Sequence, residues 1–98
     1  MGNVFKALAD PTRRAVLQLL QKGPMSAGEL AEYFDVTKPT MSAHFAVLMN
    51  ADLIQADKQG RTIMYRLKMS VLEEALLGFA QGFGLQITPA KAPTRKKS

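Results

Sequence analysis

Cysteine is absent from this 98-residue chain and histidine occurs once, as His44. Without cysteine there is no disulfide, no thiolate metal site and no cysteine nucleophile. One imidazole with neither a thiolate nor a second histidine makes a poor transition-metal set, so no metal and no cofactor are expected. Long apolar runs are missing too. The stretch Ala75 to Ala80 is far too short to span a bilayer. Lys6 and Asp10 break any apolar run near the start, so no secretory signal is expected. Ser42 and His44 stand two apart on one helix and diverge, so they cannot work as nucleophile and base. The expectation is a soluble, cytoplasmic protein that is not an enzyme and does not enter a membrane.

The formal charge of +5 is unevenly spread. Lys91, Arg95, Lys96 and Lys97 lie in the last eleven residues, which hold no acid, so the rest of the chain is nearly neutral. A basic isoelectric point is therefore weak support for a nucleic-acid partner. The body has to place a few charges well. Residues 1–87 read as one domain, and 88–98 as a basic tail with nothing to bury, expected to be disordered. The tail charges either keep the protein in solution or clamp a polyanion weakly. So small a domain buries a limited core, which makes oligomerisation an expectation.

Local signals divide the body clearly. Val4, Phe5, Leu8 and Ala9 give the apolar face of a short first helix. Asp10-Pro11 reads as an N-cap followed by proline at the first helical position, where its missing N–H costs nothing. That second helix buries Val16, Leu17 and Leu20 and is stopped by Gly23-Pro24. Ser26 and Glu29 form a capping box for a third helix with Leu30, Ala31 and Phe34 inward. A turn of about three residues precedes a fourth helix capped by Thr37, with Pro39 in its first turn. Met41, Phe45 and Leu48 recur at helical spacing and face the core; Thr40, Ala43, Val47 and Asn50 lie opposite. Thr62 to Leu67 then alternates as a strand, with Leu53 to Asp57 its partner and Lys58-Gln59-Gly60-Arg61 the loop. A last helix, about Ser70 to Gly84, carries a stripe of Leu72, Ala75, Leu76, Phe79 and Phe83.

The predicted fold is mainly α with a small β-hairpin wing, a winged helix-turn-helix. Lys38, Thr40, Ser42, Ala43 and His44 at the start of the fourth helix suit a DNA major groove, because small polar side chains let a helix approach base edges. Arg61 at the hairpin tip suits the neighbouring backbone. For His44 a helix-capping hydrogen bond is the other reading. Arg13 and Arg14 either touch phosphate or pair with acids. The stripe on the last helix, with Phe5 and Leu8 of the first, is either core or a seam between two copies, and the domain's small size favours the seam. The competing view of the whole is a winged-helix module for protein–protein assembly with no DNA site of its own.

In Asp10-Pro11-Thr12-Arg13-Arg14, Leu30-Ala31 and Ser42-Ala43-His44-Phe45 with Leu48, the chain resembles the ArsR family of bacterial winged-helix repressors over about residues 3 to 84. Asn3 to Arg14 and Lys38-Pro39-Thr40 resemble most its SdpR-like autorepressor branch. The resemblance implies a homodimer joined through first and last helices (Phe5, Leu8, Leu72, Leu76, Phe79, Phe83). It also implies a recognition helix in the major groove of a double-stranded DNA operator, a wing on the minor groove or backbone, and repression by blocking a promoter. Two features depart from the family pattern. Asp35 stands where many members have glycine, so positive φ is expected there at some strain. The cysteine pairs and the His/Asp spacing of the metal sensors are missing, so metal sensing is rejected; sequestration by a partner protein is one route to release.

Overall fold

The computed structural model describes residues 2–85; the expected basic tail lies outside them. The order of elements is α1 (Gly2–Leu8), α2 (Pro11–Leu20), β1 (Met25–Ser26), α3 (Ala27–Ala31), α4 (Lys38–Asn50), β2 (Ile54–Gln59), β3 (Thr62–Leu67) and α5 (Met69–Gly82). This is the winged helix-turn-helix expected from the sequence.

The helix starts follow the capping chemistry. The Asp10 carboxylate accepts from the Arg13 backbone N–H at 3.1 Å, and Pro11 occupies the first turn of α2. Ser26 Oγ accepts from the Glu29 N–H at 3.0 Å while Glu29 Oε1 accepts from the Ser26 N–H at 2.8 Å, which completes the capping box of α3. Thr37 Oγ1 accepts from the Thr40 N–H at 3.3 Å at the head of α4.

Between α3 and α4 the structure differs from expectation. The α-helix stops at Ala31, three residues before Phe34. The Tyr33 and Phe34 N–H groups instead bond the Leu30 and Ala31 carbonyls at 3.1 and 3.2 Å, a tighter three-residue winding that carries the chain on to Phe34. Asp35 does not take positive φ. Among the described non-glycine residues only Asp52 does, at 61°, so the strain foreseen for Asp35 sits at the other end of α4.

The core lies where α2, α3 and α4 meet the base of the hairpin. Leu30, Leu48, Leu53 and Val16 are fully enclosed, each contributing about 1.5–3 kcal/mol by leaving water. The rings of Phe45 and Tyr65 pack at 4.6 Å and fix the hairpin to α4. Val47, assigned to the outer face of α4, packs partly against this core.

The sheet has three antiparallel strands in the order β1-β3-β2. Gln59 pairs with Thr62, so Lys58 and Gln59 extend β2 and the loop shrinks to Gly60-Arg61, with Gly60 at φ 64°. Two-residue β1 was not foreseen from the sequence; it pairs Met25 with Tyr65 and Ser26 with Met64. Tyr65 is buried, whereas Ile63 on the same face is 40 % exposed, because the far half of the hairpin projects beyond the core.

Candidate nucleic-acid interface

Helix α4 offers one long face to solvent. Thr40, Ser42 and Ala43 are exposed, and Lys38 is exposed at the first turn. Pro39, Ala46 and Asn50 share that exposure. At about 100° per residue Pro39, Ala43, Ala46 and Asn50 lie roughly opposite Met41. Pro39 and Ala46 did not stand out in the sequence, because small apolar residues resemble core. None of the thirteen residues of α4 is acidic. Lys38 and Ser42 also stand over a crevice of about 280 Å³ opposite Ala27, Gly28 and Ala31 of α3.

The hairpin adds a basic tip. Lys58, Gly60, Arg61 and Thr62 are exposed there. Asp57 accepts from Arg66 across the strands at 2.9 Å, and Gln55 Nε2 donates to its other oxygen at 3.0 Å. Asp57 is thereby occupied with Arg66. Lys58 and Arg61 have no carboxylate within ion-pair reach among the described residues. The tip therefore offers two cations to an outside anion.

His44 stands apart from the exposed set. It lies about 60° from Met41 around the helix, on the edge of the inward stripe, and its side chain is 15 % exposed. Its Nδ1 is 3.2 Å from Arg13 Nη1 and 3.9 Å from Asp10 Oδ2. A guanidinium only donates, so Nδ1 accepts and Nε2 carries the proton. The sequence reading of His44 as a groove residue thus meets a side chain already engaged inside the domain.

Arg13 and Arg14 are engaged within the chain, by carbonyl oxygens rather than by carboxylates. Arg13 Nε donates to the Ala7 carbonyl at 2.8 Å and Nη2 to the Lys6 carbonyl at 2.9 Å; Arg14 Nη1 donates to the Leu8 carbonyl at 2.7 Å. Both bond carbonyls in the last turn of α1, where the helix itself leaves acceptors without a partner. The Arg13 N–H bond holds the Asp10 carboxyl below its ordinary 3.8, outweighing partial loss of hydration, with the charge of the Arg13 guanidinium adding to it.

The stripe on α5 is left uncovered within one chain. Leu76, Phe79 and Phe83 are 42, 51 and 71 % exposed, whereas Ala75 and Ala80 turn to the core. The Phe79 ring packs, tilted, between those of Phe5 of α1 and Phe83, each at 5.0 Å between ring centres. Leu8 and Leu72 lean on the core and are half-buried. Leu85, at 56 %, extends the apolar surface.

Among the described residues no three His, Cys, Asp or Glu side chains gather where they could hold a metal ion. None of the described helices is long and apolar enough to cross a membrane.

Comparison with known proteins agrees with this geometry. Residues 10–56 match the model of the bacterial regulatory protein arsR family. The chain is 45% identical over 76 residues to the transcriptional repressor SdpR of Bacillus subtilis strain 168, covering 78% of this chain and 84% of that one. It is 34% identical over 73 residues to the arsenical resistance operon repressor of Staphylococcus xylosus, covering 74% and 70%. A crystal structure of an ArsR family transcriptional regulator superposes with a TM-score of 0.75 at 38% identity, over 85% of this chain and 93% of that one. The chain belongs to the ArsR family, as a winged helix-turn-helix transcriptional repressor rather than an enzyme.

Proposed function

We propose that the protein acts as a homodimer on a palindromic double-stranded DNA operator, represses its own promoter, and does so without a metal effector. The observation that carries the reading is the acid-free, exposed outer face of α4 together with a wing tip whose cations are unpaired among the described residues. Thr40, Ser42 and Ala43 take the base edges of the major groove, with Pro39, Ala46 and Asn50 lying against its walls. Lys38 reaches a base or a flanking phosphate. Arg61 and Lys58 hold the backbone from the wing.

The second copy follows from area and charge. With the body nearly neutral, one domain has few phosphate contacts to offer. The uncovered Leu76, Phe79 and Phe83, with Phe5 packed beside them, supply an apolar face for an identical partner. A two-fold axis through that face repeats the recognition helix, and the operator repeats in turn. Autoregulation rests on the likeness to the SdpR-type repressor, and a cytoplasmic place of action goes with it. The absence of cysteine and the engagement of His44 by Arg13 support release by something other than metal, such as a sequestering protein.

A gel shift against the DNA upstream of its own gene tests the reading. Binding there at concentrations that leave random DNA free is expected. No preference for any upstream fragment, with the folded protein in excess, would favour a protein–protein module instead.

A further inference from the structure

Arg13 reaches both the end of α1 and the recognition helix with one side chain. Its three guanidinium nitrogens go to three partners: Nε to the Ala7 carbonyl at 2.8 Å, Nη2 to the Lys6 carbonyl at 2.9 Å, and Nη1 to His44 Nδ1 at 3.2 Å. The first two belong to a seven-residue helix that packs on α5 through Phe5 and Phe79. The third sits in the second turn of α4. A guanidinium is planar and its donors are fixed in one fork, so the direction of the α1 carbonyls dictates where His44 must stand. Asp10 completes the set: its carboxylate caps α2 through the Arg13 N–H and lies 3.9 Å from the same Nδ1.

We propose that Arg13 and His44 are positioning residues: they set the angle between the recognition helix and the α1–α5 face, and through it the spacing of half-sites that a dimer accepts. The inference rests on the repressor reading above. Neither residue needs to touch DNA. A helix held only by apolar packing in its inward stripe can roll by small amounts, since Met41, Phe45 and Leu48 impose no directional bond. The Arg13–His44 hydrogen bond supplies one, from a charged donor, in a half-buried place. The two residues are 31 apart in sequence, so nothing local enforces the geometry once the bond is broken. Lysine cannot replace Arg13, because a single ammonium cannot reach three acceptors in a plane.

The test compares His44→Asn with His44→Gln. Asparagine can present an amide oxygen close to the place of Nδ1; glutamine carries its oxygen one bond further out. Both are polar and of similar bulk, so folding is comparable, and thermal melts check it. Affinity is measured on the natural operator and on versions with one base pair added or removed between half-sites, which shifts one half-site by about 3.4 Å along and about 34° around the duplex.

Wild type and His44→Asn are expected to prefer the natural spacing strongly. His44→Gln and Arg13→Lys are expected to lose about tenfold on it, the size of one hydrogen bond to a charged group, and to show a flattened spacing preference. Equal loss at every spacing would mean that His44 contacts DNA itself and would overturn the inference. So would a folded His44→Gln protein with unchanged affinity and spacing preference. A wild-type protein with no operator preference at all would remove the repressor reading and this inference together.

Discussion

Lys68 donates from Nζ to Asp52 Oδ1 across 2.7 Å and so fastens the residue just past the recognition helix to the residue that starts α5. The backbone supports the same joint. The Asp52 and Leu53 N–H groups bond the Met49 and Leu48 carbonyls at 2.9 and 3.0 Å, a Schellman closure with Asp52 in the left-handed position at φ 61°. The Lys68 N–H then bonds the Leu53 carbonyl at 2.8 Å. Both ends of the hairpin are thus tied to the end of α4.

Substitution at Asp52 separates backbone strain from the ion pair. The pair is largely solvated and contributes about 0–1 kcal/mol. A left-handed residue with a β-carbon costs about 1–2 kcal/mol, less for Asp than for Ala. Asp52→Ala is expected to be the least stable of three proteins, by about 1 kcal/mol, with Asp52→Gly at or above wild type. Urea melts order them. Alanine equal to glycine would mean that the turn tolerates any side chain.

The cap at Asp10 makes stability fall in acid. The folded carboxyl titrates below its ordinary 3.8 because it accepts the Arg13 N–H. Its contribution is therefore complete above that value and is lost as pH falls through the lower folded one. Asp10→Asn keeps a capping oxygen without a charge. Its melting temperature should lie near that of wild type in strong acid and below it at neutral pH, while Asp10→Ala should be the lowest of the three at neutral pH. Parallel acid profiles for wild type and Asp10→Asn would show that the charge adds nothing.

Much of this fold was legible because helix starts are written locally. Asp10-Pro11, Ser26 with Glu29, and Thr37 with Pro39 each complete their bonds within three residues, so no tertiary knowledge is needed. The position of His44 was legible too: 41, 44, 45 and 48 follow the i, i+3, i+4, i+7 pattern of an inward face, yet its polarity suggested the outside. Arg13 gave no such signal. Its acceptors are backbone carbonyls of the preceding helix, and only the packing of α1 on α2 brings them within reach. The outer face of α4 was half visible, since Thr40 and Ser42 announce solvent whereas Pro39 and Ala46 do not. Strand β1, two residues long, has no alternation to read.

Lys38 is proposed to meet the DNA at the first turn of α4, and it is exposed there without a role in the core. Lys38→Ala should leave the melting temperature nearly unchanged. If the side chain reads a base, operator affinity should fall by about 1–3 kcal/mol with a smaller effect on random DNA. Equal weakening on both would make it a phosphate contact, and no change on either would remove it from the interface.

The basic tail is open to a truncation test. Deleting residues 89–98 removes four cations. Affinity at low salt should fall, and the slope of log affinity against log salt should flatten by about 0.9 for each phosphate that the tail had neutralised. Preference for operator over random DNA should survive. An unchanged slope assigns the tail to solubility.

Footprinting on the upstream DNA, with wild type and Phe79→Glu side by side, tests the proposed two-fold arrangement. Phe79 is half exposed in one chain, so glutamate there gives up the ring contacts with Phe5 and Phe83, a loss that a thermal melt measures, and places an unpaired charge in the proposed face between copies, at a desolvation cost of several kcal/mol. Wild type should protect two stretches on one side of the duplex, about 34–36 Å apart, and Phe79→Glu, monomeric by light scattering, should protect neither. A single protected stretch from wild type, or the same double footprint from a Phe79→Glu protein that remains dimeric, would contradict the assignment of the α1–α5 face.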